Sequence, residues 1–205
     1  ASFIPNNIKI SEVIKELSLT KIDLSQNTLL EKNCIYLCEL NEKLSLSNDI
    51  MGKSNPKSTT GRLDIFTRII TENGKEYDYV NYNYKGKLYL EIIPQSFSIV
   101  VKKNISLNQI RFFQGPYMDN KIKQINISVS IERNKISAYK AKKITSAIDL
   151  NKIKFYKSEK YWDKIIPEDN YFIIERDEFY ILRSKEAIKI KNNQAAELEP
   201  YKDSF

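Results

Sequence analysis

The sequence predicts a mainly β protein with a few short helices, and three observations support this prediction. Its 205 residues include 13 Tyr and 9 Phe, which are residue types common in strands. Short runs with alternating apolar residues, such as GKLYLEIIP over 86–94, recur along the chain. Turn signals such as Pro94 and the pair Asn73-Gly74 separate these runs. We therefore expect a fold of the jelly-roll or barrel-like type.

The remaining elements follow from the same patterns. Apolar residues at helical spacing predict a helix over 10–18, with Ser11 as its N-cap. The Asn73-Gly74 pair lies between two β-rich runs and predicts a hairpin. A short helix is expected around 158–163. Further strands are expected over 27–40, 86–94, 97–104, 107–113 and 170–190.

Composition excludes several kinds of chemistry. The chain has no histidine, which removes His general bases, His zinc ligands and Ser–His or Cys–His nucleophiles. Cys34 and Cys38 lack further soft ligands, so we expect no zinc and interpret both as buried free thiols in a reducing compartment. No apolar run reaches membrane-spanning length, and we expect a cytoplasmic protein without a membrane partner.

The net charge of +7 and the pI near 9.1 have two interpretations. They fit an anionic partner such as a nucleotide, or they keep the protein soluble, since the lysines are spread along the chain. A nucleic-acid-binding domain is disfavoured because no basic face is interleaved with aromatic residues.

Two segments of the chain resemble each other. Residues 29–57 and 173–201 align without a gap at an offset of 144, with Tyr36 opposite Tyr180 and Pro56 opposite Pro200. Chance agreement between two β segments is the alternative. The repeat predicts a first domain over 1–148, a linker with a short helix over 149–169, and the beginning of a second, related domain over 170–205.

The stretch SNPKSTTGR over 54–62 gathers cations and hydroxyls at the start of a β-rich run. A polyanion needs such groups, and Arg62 can bind phosphate oxygens in bidentate fashion while Lys57 acts as a point charge. A simple polar turn is the alternative. The stretch is not a Walker P-loop, because the second Gly-Lys-Ser/Thr is missing.

The strand YKGKLYLEIIP places Glu91 on the face opposite to Leu88, Leu90 and Ile92. One interpretation is a solvent-facing Glu in a half-buried sheet. The other is a carboxylate beside Tyr84 and Tyr89 that is poised for proton transfer.

Together, NPKSTTGRLDIFTR, YKGKLYLEIIP, LNQIRF and FYILRSKEA resemble the dCTP deaminases of the dUTPase-like superfamily, in their long tandem-domain form. The resemblance covers nearly the whole chain. It implies a dUTPase-like (β-clip) distorted barrel or jelly roll, and a chain truncated at both ends that is weakly active or inactive alone. It also implies a homo-oligomer, as a trimer or as a pseudo-trimer of tandem domains.

The resemblance further implies deamination of dCTP to dUTP and ammonia without zinc, in thymidylate supply. Mg²⁺ would arrive bound to the substrate triphosphate. Glu91 would be the catalytic carboxylate, and Ser58 and Arg62 would orient the reactants and stabilise charge. The substrate-binding residues implied are Lys57, Ser58, Thr59, Arg62, Asn81, Tyr84 and Gln109. The working pocket is expected between domains or subunits.

One departure from the pattern leaves alternatives open. The superfamily's usual Asp-x-x-Tyr/Trp pattern is read here as NYNY, with Asn81 in place of the Asp. Asn81 can bind a sugar hydroxyl but cannot act as a base. The alternatives are a dUTP or dCTP diphosphatase of the same superfamily, or a non-catalytic nucleotide-binding half.

Overall fold

The structure is a computed structural model that describes residues 9–17, 19–115, 123–192, 194 and 196–198. This part of the chain is mainly β, which confirms the predicted fold class. Its helices are α1 (Ile10–Glu16), α2 (Ser58–Gly61) and a 3₁₀ turn over Ser158–Lys160. No helix among the described residues is long and apolar enough to span a membrane.

The strands are short, and most lie where alternation predicts them. Their bounds are β1 Thr28–Leu30, β2 Tyr36–Ser45, β3 Ile50–Pro56, β4 Ile65–Thr71, β5 Tyr79–Val80, β6 Lys85–Pro94, β7 Ile99–Val101, β8 Asn108–Gln114, β9 Ala138–Ala141, β10 Ile148–Asp149, β11 Trp162–Ile165 and β12 Tyr180–Leu182.

The chain divides into two compact units. The first consists of Ala1–Met118 with Lys142–Tyr161, and the second of Asp119–Ala141 with Trp162–Phe205. The expected domain boundaries and the repeat between 29–57 and 173–201 stay predictions. Pro200, the expected exit of the second copy, lies outside the described residues.

The described residues of unit 1 form three small antiparallel or mixed sheets. Their strand orders are β2-β6-β4, β5-β3-β8 and β1-β7-β10. One face of β6 contributes Leu88, Leu90 and Ile92 to the main apolar core, together with Ile65 and Ile69 of β4. The described strands thus form separate three-stranded sheets, and no closed barrel is seen among them.

The second face of β6 is buried as well. Tyr89 packs there with Ile70 of β4 and with Ile10 and Ile14 of α1. The interpretation of a half-exposed sheet with a solvent-facing Glu91 was therefore wrong. The alternation of apolar residues predicts a solvent-exposed second face, but α1 packs on that face and buries it.

The predicted hairpin at Asn73-Gly74 is wrong. β4 pairs with β6, and β5 pairs with β3, so the two runs beside the turn have different partners. The cause is Asp78, which has a left-handed φ of 64° just before β5. Its backbone carbonyl accepts the N–H of Ser54 at 2.8 Å, which directs the chain to β3.

Other local expectations were also changed by tertiary contacts. Lys9, not Ser11, is the N-cap of α1, and Ser11 donates to the Glu72 carboxylate instead. A turn with Asn33 at φ 63° breaks the expected strand over 27–40. Both cysteines are free thiols, but Cys34 is exposed and Cys38 is half-buried.

The second unit is built on one described sheet with the order β11-β9-β12. Trp162 packs against Phe179 with ring centroids 6.0 Å apart. Lys140 of β9 contacts the carboxylate of Glu175 at 2.8 Å. The predicted strand over 170–190 is reduced to β12, and the predicted helix around 158–163 is the 3₁₀ turn followed by β11.

Candidate active site

Glu91 lies near the centre of β6, the middle strand of its sheet. Its neighbours across the ladders are Leu37 of β2 and Arg68 of β4. The side chain is fully buried, at 0% exposure. Burying an isolated carboxylate is costly unless a cation and hydrogen bonds compensate, so a buried Glu requires a partner.

Arg68 is that partner. Its Nε donates to Oε1 of Glu91 at 2.8 Å, and its Nη2 donates to the same oxygen. The guanidinium carbon lies 3.6 Å from the ring centroid of Tyr77 and 5.0 Å from that of Phe66. These aromatic faces attract the cation and hold the guanidinium plane in place.

The second carboxylate oxygen of Glu91 is arranged differently. Oε2 is buried and has no hydrogen-bond partner among the described residues. An unsatisfied buried acceptor is rare and indicates a place for a bound water or ligand group. The pair thus combines one saturated oxygen with one buried oxygen that receives no hydrogen bond from the described residues.

Asp78 is a candidate residue that the sequence analysis missed. Its Oδ1 accepts the Ser54 hydroxyl at 2.6 Å and the N–H of Ile69 at 2.8 Å. Burial raises the pKa of Asp78, and the negative charge of Glu91 adds to this, while the hydrogen bonds and Arg68 oppose it. In the sequence, the signal that could have pointed to Asp78 is its position three residues before Asn81.

The KSTTGR stretch forms α2 with its flanking residues. Arg62 Nη1 donates to the hydroxyl of Ser58 at 2.8 Å, one helical turn away. Ser58, Thr59 and Arg62 are exposed, and Lys57 is half-buried with its N–H bonded to the carbonyl of Leu107 at 3.0 Å. Buried Thr60 anchors the turn, so the polar side chains project outward from a fixed base.

Of the three predicted catalytic residues, the structure brings Ser58 and Arg62 together and pairs Glu91 with Arg68, which the sequence did not single out. Ser58 contacts Arg62, and Glu91 contacts Arg68, but within the described part of the chain neither Ser58 nor Arg62 bonds to Glu91. The two pairs lie on different elements of unit 1.

The remaining predicted binding residues have mixed surroundings. Tyr84 is half-buried, and its hydroxyl donates to the carbonyl of Lys87 and accepts the N–H of Glu72 at 3.1 Å. Asn81 is exposed, and Gln109 is exposed on β8 opposite Asn55. Tyr84 therefore supports the strand, whereas Asn81 and Gln109 are accessible to a ligand.

Fold and site define a mainly β protein with a buried, arginine-paired carboxylate and a solvent-facing Ser–Arg pair. Residues 1–116 match the N-terminal domain of 2'-deoxycytidine 5'-triphosphate deaminase (DCD), and residues 107–205 match its C-terminal domain. The chain belongs to this family.

A solved structure agrees with this assignment. The chain is similar to 2'-deoxycytidine 5'-triphosphate deaminase from Agrobacterium tumefaciens, with 34% identity and a TM-score of 0.85. The match covers 93% of this chain and 64% of the Agrobacterium chain. A comparison with curated proteins found no match.

Proposed function

We propose that the protein hydrolyses the amino group of dCTP to give dUTP and ammonia. The observation that carries this proposal is the buried Glu91, whose Oε2 has no hydrogen-bond partner among the described residues while Arg68 occupies Oε1. Water would add to C4 of cytosine and give a proton to Glu91. The carboxyl would return protons to N3 and to the amine, and C4 keeps the oxygen as ammonia leaves.

The Ser58–Arg62 pair would orient the reactants and stabilise developing charge. Lys57, Thr59 and Gln109 would contact the triphosphate, which enters as its Mg²⁺ complex. Asn81 would face the sugar, and Tyr84, whose hydroxyl is already bonded to Lys87 and Glu72, would contribute only its ring. The product would serve thymidylate supply in the cytoplasm.

The separation of the two pairs supports a site shared between copies of the chain. Glu91 of one copy would work with Ser58 and Arg62 of another, in a homo-oligomer of the trimer type. Mixing tests this directly. Arg62→Ala and Glu91→Gln proteins, each expected to be strongly impaired alone, should regain activity when they are unfolded and refolded together.

The central experiment incubates the full-length protein with each dNTP and measures ammonia and pyrophosphate separately. Deamination predicts ammonia from dCTP alone. Pyrophosphate from dUTP or dCTP would instead indicate a diphosphatase of the same superfamily. Tight dCTP binding without either product would indicate a non-catalytic half.

A further inference from the structure

We propose that Arg68 is a positioning residue for the deamination. It would hold Oε1 of Glu91 so that Oε2 is the oxygen that exchanges protons with the reactants. This inference rests on the proposed function and assigns a role to a residue outside the Ser58, Arg62 and Glu91 set.

The first observation is the asymmetry of the ion pair. Arginine commonly binds a carboxylate with one N–H to each oxygen. Here both donors, Nε and Nη2, go to Oε1, and the buried Oε2 receives none. Two N–H groups fill the acceptor directions of Oε1, so a proton arriving at the carboxylate is directed to Oε2.

The second observation is how firmly Arg68 is held. It lies directly opposite Glu91 in the β4–β6 ladder, and its guanidinium lies 3.6 Å from the centroid of the Tyr77 ring. Tyr77 packs in turn against the cluster of Ile10, Ile70 and Tyr89. The Arg68 guanidinium is therefore held in place by the register of the β4–β6 ladder and by the packed Tyr77 ring.

The proton inventory fits this arrangement. When the attacking water forms its bond to C4, its proton goes to Oε2, and Glu91 becomes neutral while Arg68 stays bonded to Oε1. The same O–H then delivers the proton to N3. The second proton passes from the new C4 hydroxyl through Oε2 to the amine, and ammonia leaves with the C4–N bond electrons. A carboxyl held at one oxygen performs both transfers without rotating.

The test compares Arg68→Lys and Arg68→Ala with the wild-type full-length protein. Lysine keeps the charge but lacks the paired Nε and Nη2 donors that hold Oε1 of Glu91. We therefore expect kcat to fall roughly 100-fold, as for a reacting group displaced by about 1 Å, and KM to stay within about threefold of the wild-type value. Arg68 is 25% exposed, so added guanidinium should reach the space left in Arg68→Ala and restore part of kcat. Arg176→Lys, at a position 94% exposed, is the matched control and should leave both constants unchanged.

Each outcome has a definite meaning. Wild-type kcat in Arg68→Lys would overturn the positioning role while leaving the deaminase proposal intact. A rise in KM at constant kcat would make Arg68 a substrate-binding group instead. If the Arg68 variants do not fold, Tyr77→Leu keeps the ion pair but removes the stack, and an unchanged kcat there would overturn the role. Absence of ammonia release from the wild type would overturn the proposed function itself.

Discussion

Tyr36 and Tyr180 make the same hydrogen bond at positions 144 residues apart in the chain. The Tyr36 hydroxyl accepts the N–H of Glu31 at 2.8 Å, and the Tyr180 hydroxyl accepts the N–H of Glu175 at 3.2 Å. In both places the tyrosine begins a strand and its ring hydroxyl caps the segment five residues before it. This agreement supports the proposed repeat at the level of local structure.

The backbone between those partners also corresponds. Asn33 has a φ of 63° and Asp177 a φ of 59°, again at the same offset. We predict that Asn33→Val and Asp177→Val each lower the free energy of unfolding by about 1–2 kcal/mol, because β-branched residues are strained in the left-handed region. Urea unfolding measures the effect, and the Gly variants at both positions are the matched controls. A harmless Val at either position would contradict the shared turn.

Glu91→Gln should abolish deamination and leave dCTP binding nearly unchanged. The amide oxygen can still accept from Arg68, but the side chain cannot take a proton from water, which removes roughly 10²–10⁴-fold of rate. Ammonia release and calorimetric dCTP binding measure the two effects. Glu76→Gln, an exposed neighbour in unit 1, is the control. Near-normal turnover in Glu91→Gln would place the chemistry on another residue.

Arg62→Ala should weaken binding of dCTP roughly 10- to 100-fold and that of deoxycytidine much less. The exposed guanidinium donates one N–H to Ser58, and its remaining N–H groups would bond to the charged phosphates. A hydrogen bond to a charged group contributes more binding free energy than one to a neutral group such as those of deoxycytidine. Titration calorimetry with both ligands measures the difference, and Arg176→Ala serves as the control. Equal losses for the two ligands would show that Arg62 is structural.

Glu72 should make the docking of α1 dependent on pH. Burial raises its pKa, but hydrogen bonds from Ser11 and Tyr89, with the charge of Lys9, outweigh burial and lower it below 4.5. A lowered folded-state pKa gives stability that is present above the unfolded value and is lost as pH falls through the folded one.

We therefore expect wild-type protein to exceed Glu72→Gln in thermal stability near pH 6. The difference should shrink steadily below about pH 4.5. Melting curves of both proteins from pH 6 to pH 3 measure it, with Glu76→Gln as the control. A difference that stays constant over this range would show that Glu72 contributes through shape and not through charge.

Local patterns in the sequence located several elements correctly. β6 was expected over 86–94 and occupies Lys85–Pro94, because alternation depends only on neighbouring residues. The Ser58–Arg62 contact was not among the expectations, although residues four apart do meet on one helical turn. Such features need no knowledge of distant parts of the chain.

The features that the sequence did not reveal depend on long-range register. Arg68 and Glu91 are 23 residues apart, and only the β4–β6 ladder places them opposite each other. Asp78 owes its surroundings to a left-handed backbone and to contacts with Ser54 and Ile69, neither of which a pattern displays. Asn73-Gly74 is a strong turn signal, but the strands on either side of it pair with other strands and not with each other.

The strand β7 makes the order of synthesis matter for this chain. It pairs with β1, which is made earlier, and with β10, which begins at Ile148, long after β7 ends at Val101. At about 5–20 residues per second, a ribosome needs roughly 2–9 s to cover that interval. During this time the edge of β7 that later pairs with β10 is unpaired, and Ile99, which is fully buried in the folded unit, lies beside it. An unpaired strand edge can pair with another nascent chain. Slower translation would lengthen the exposure, so the yield of folded protein should depend on elongation rate and on chaperones that shield strand edges.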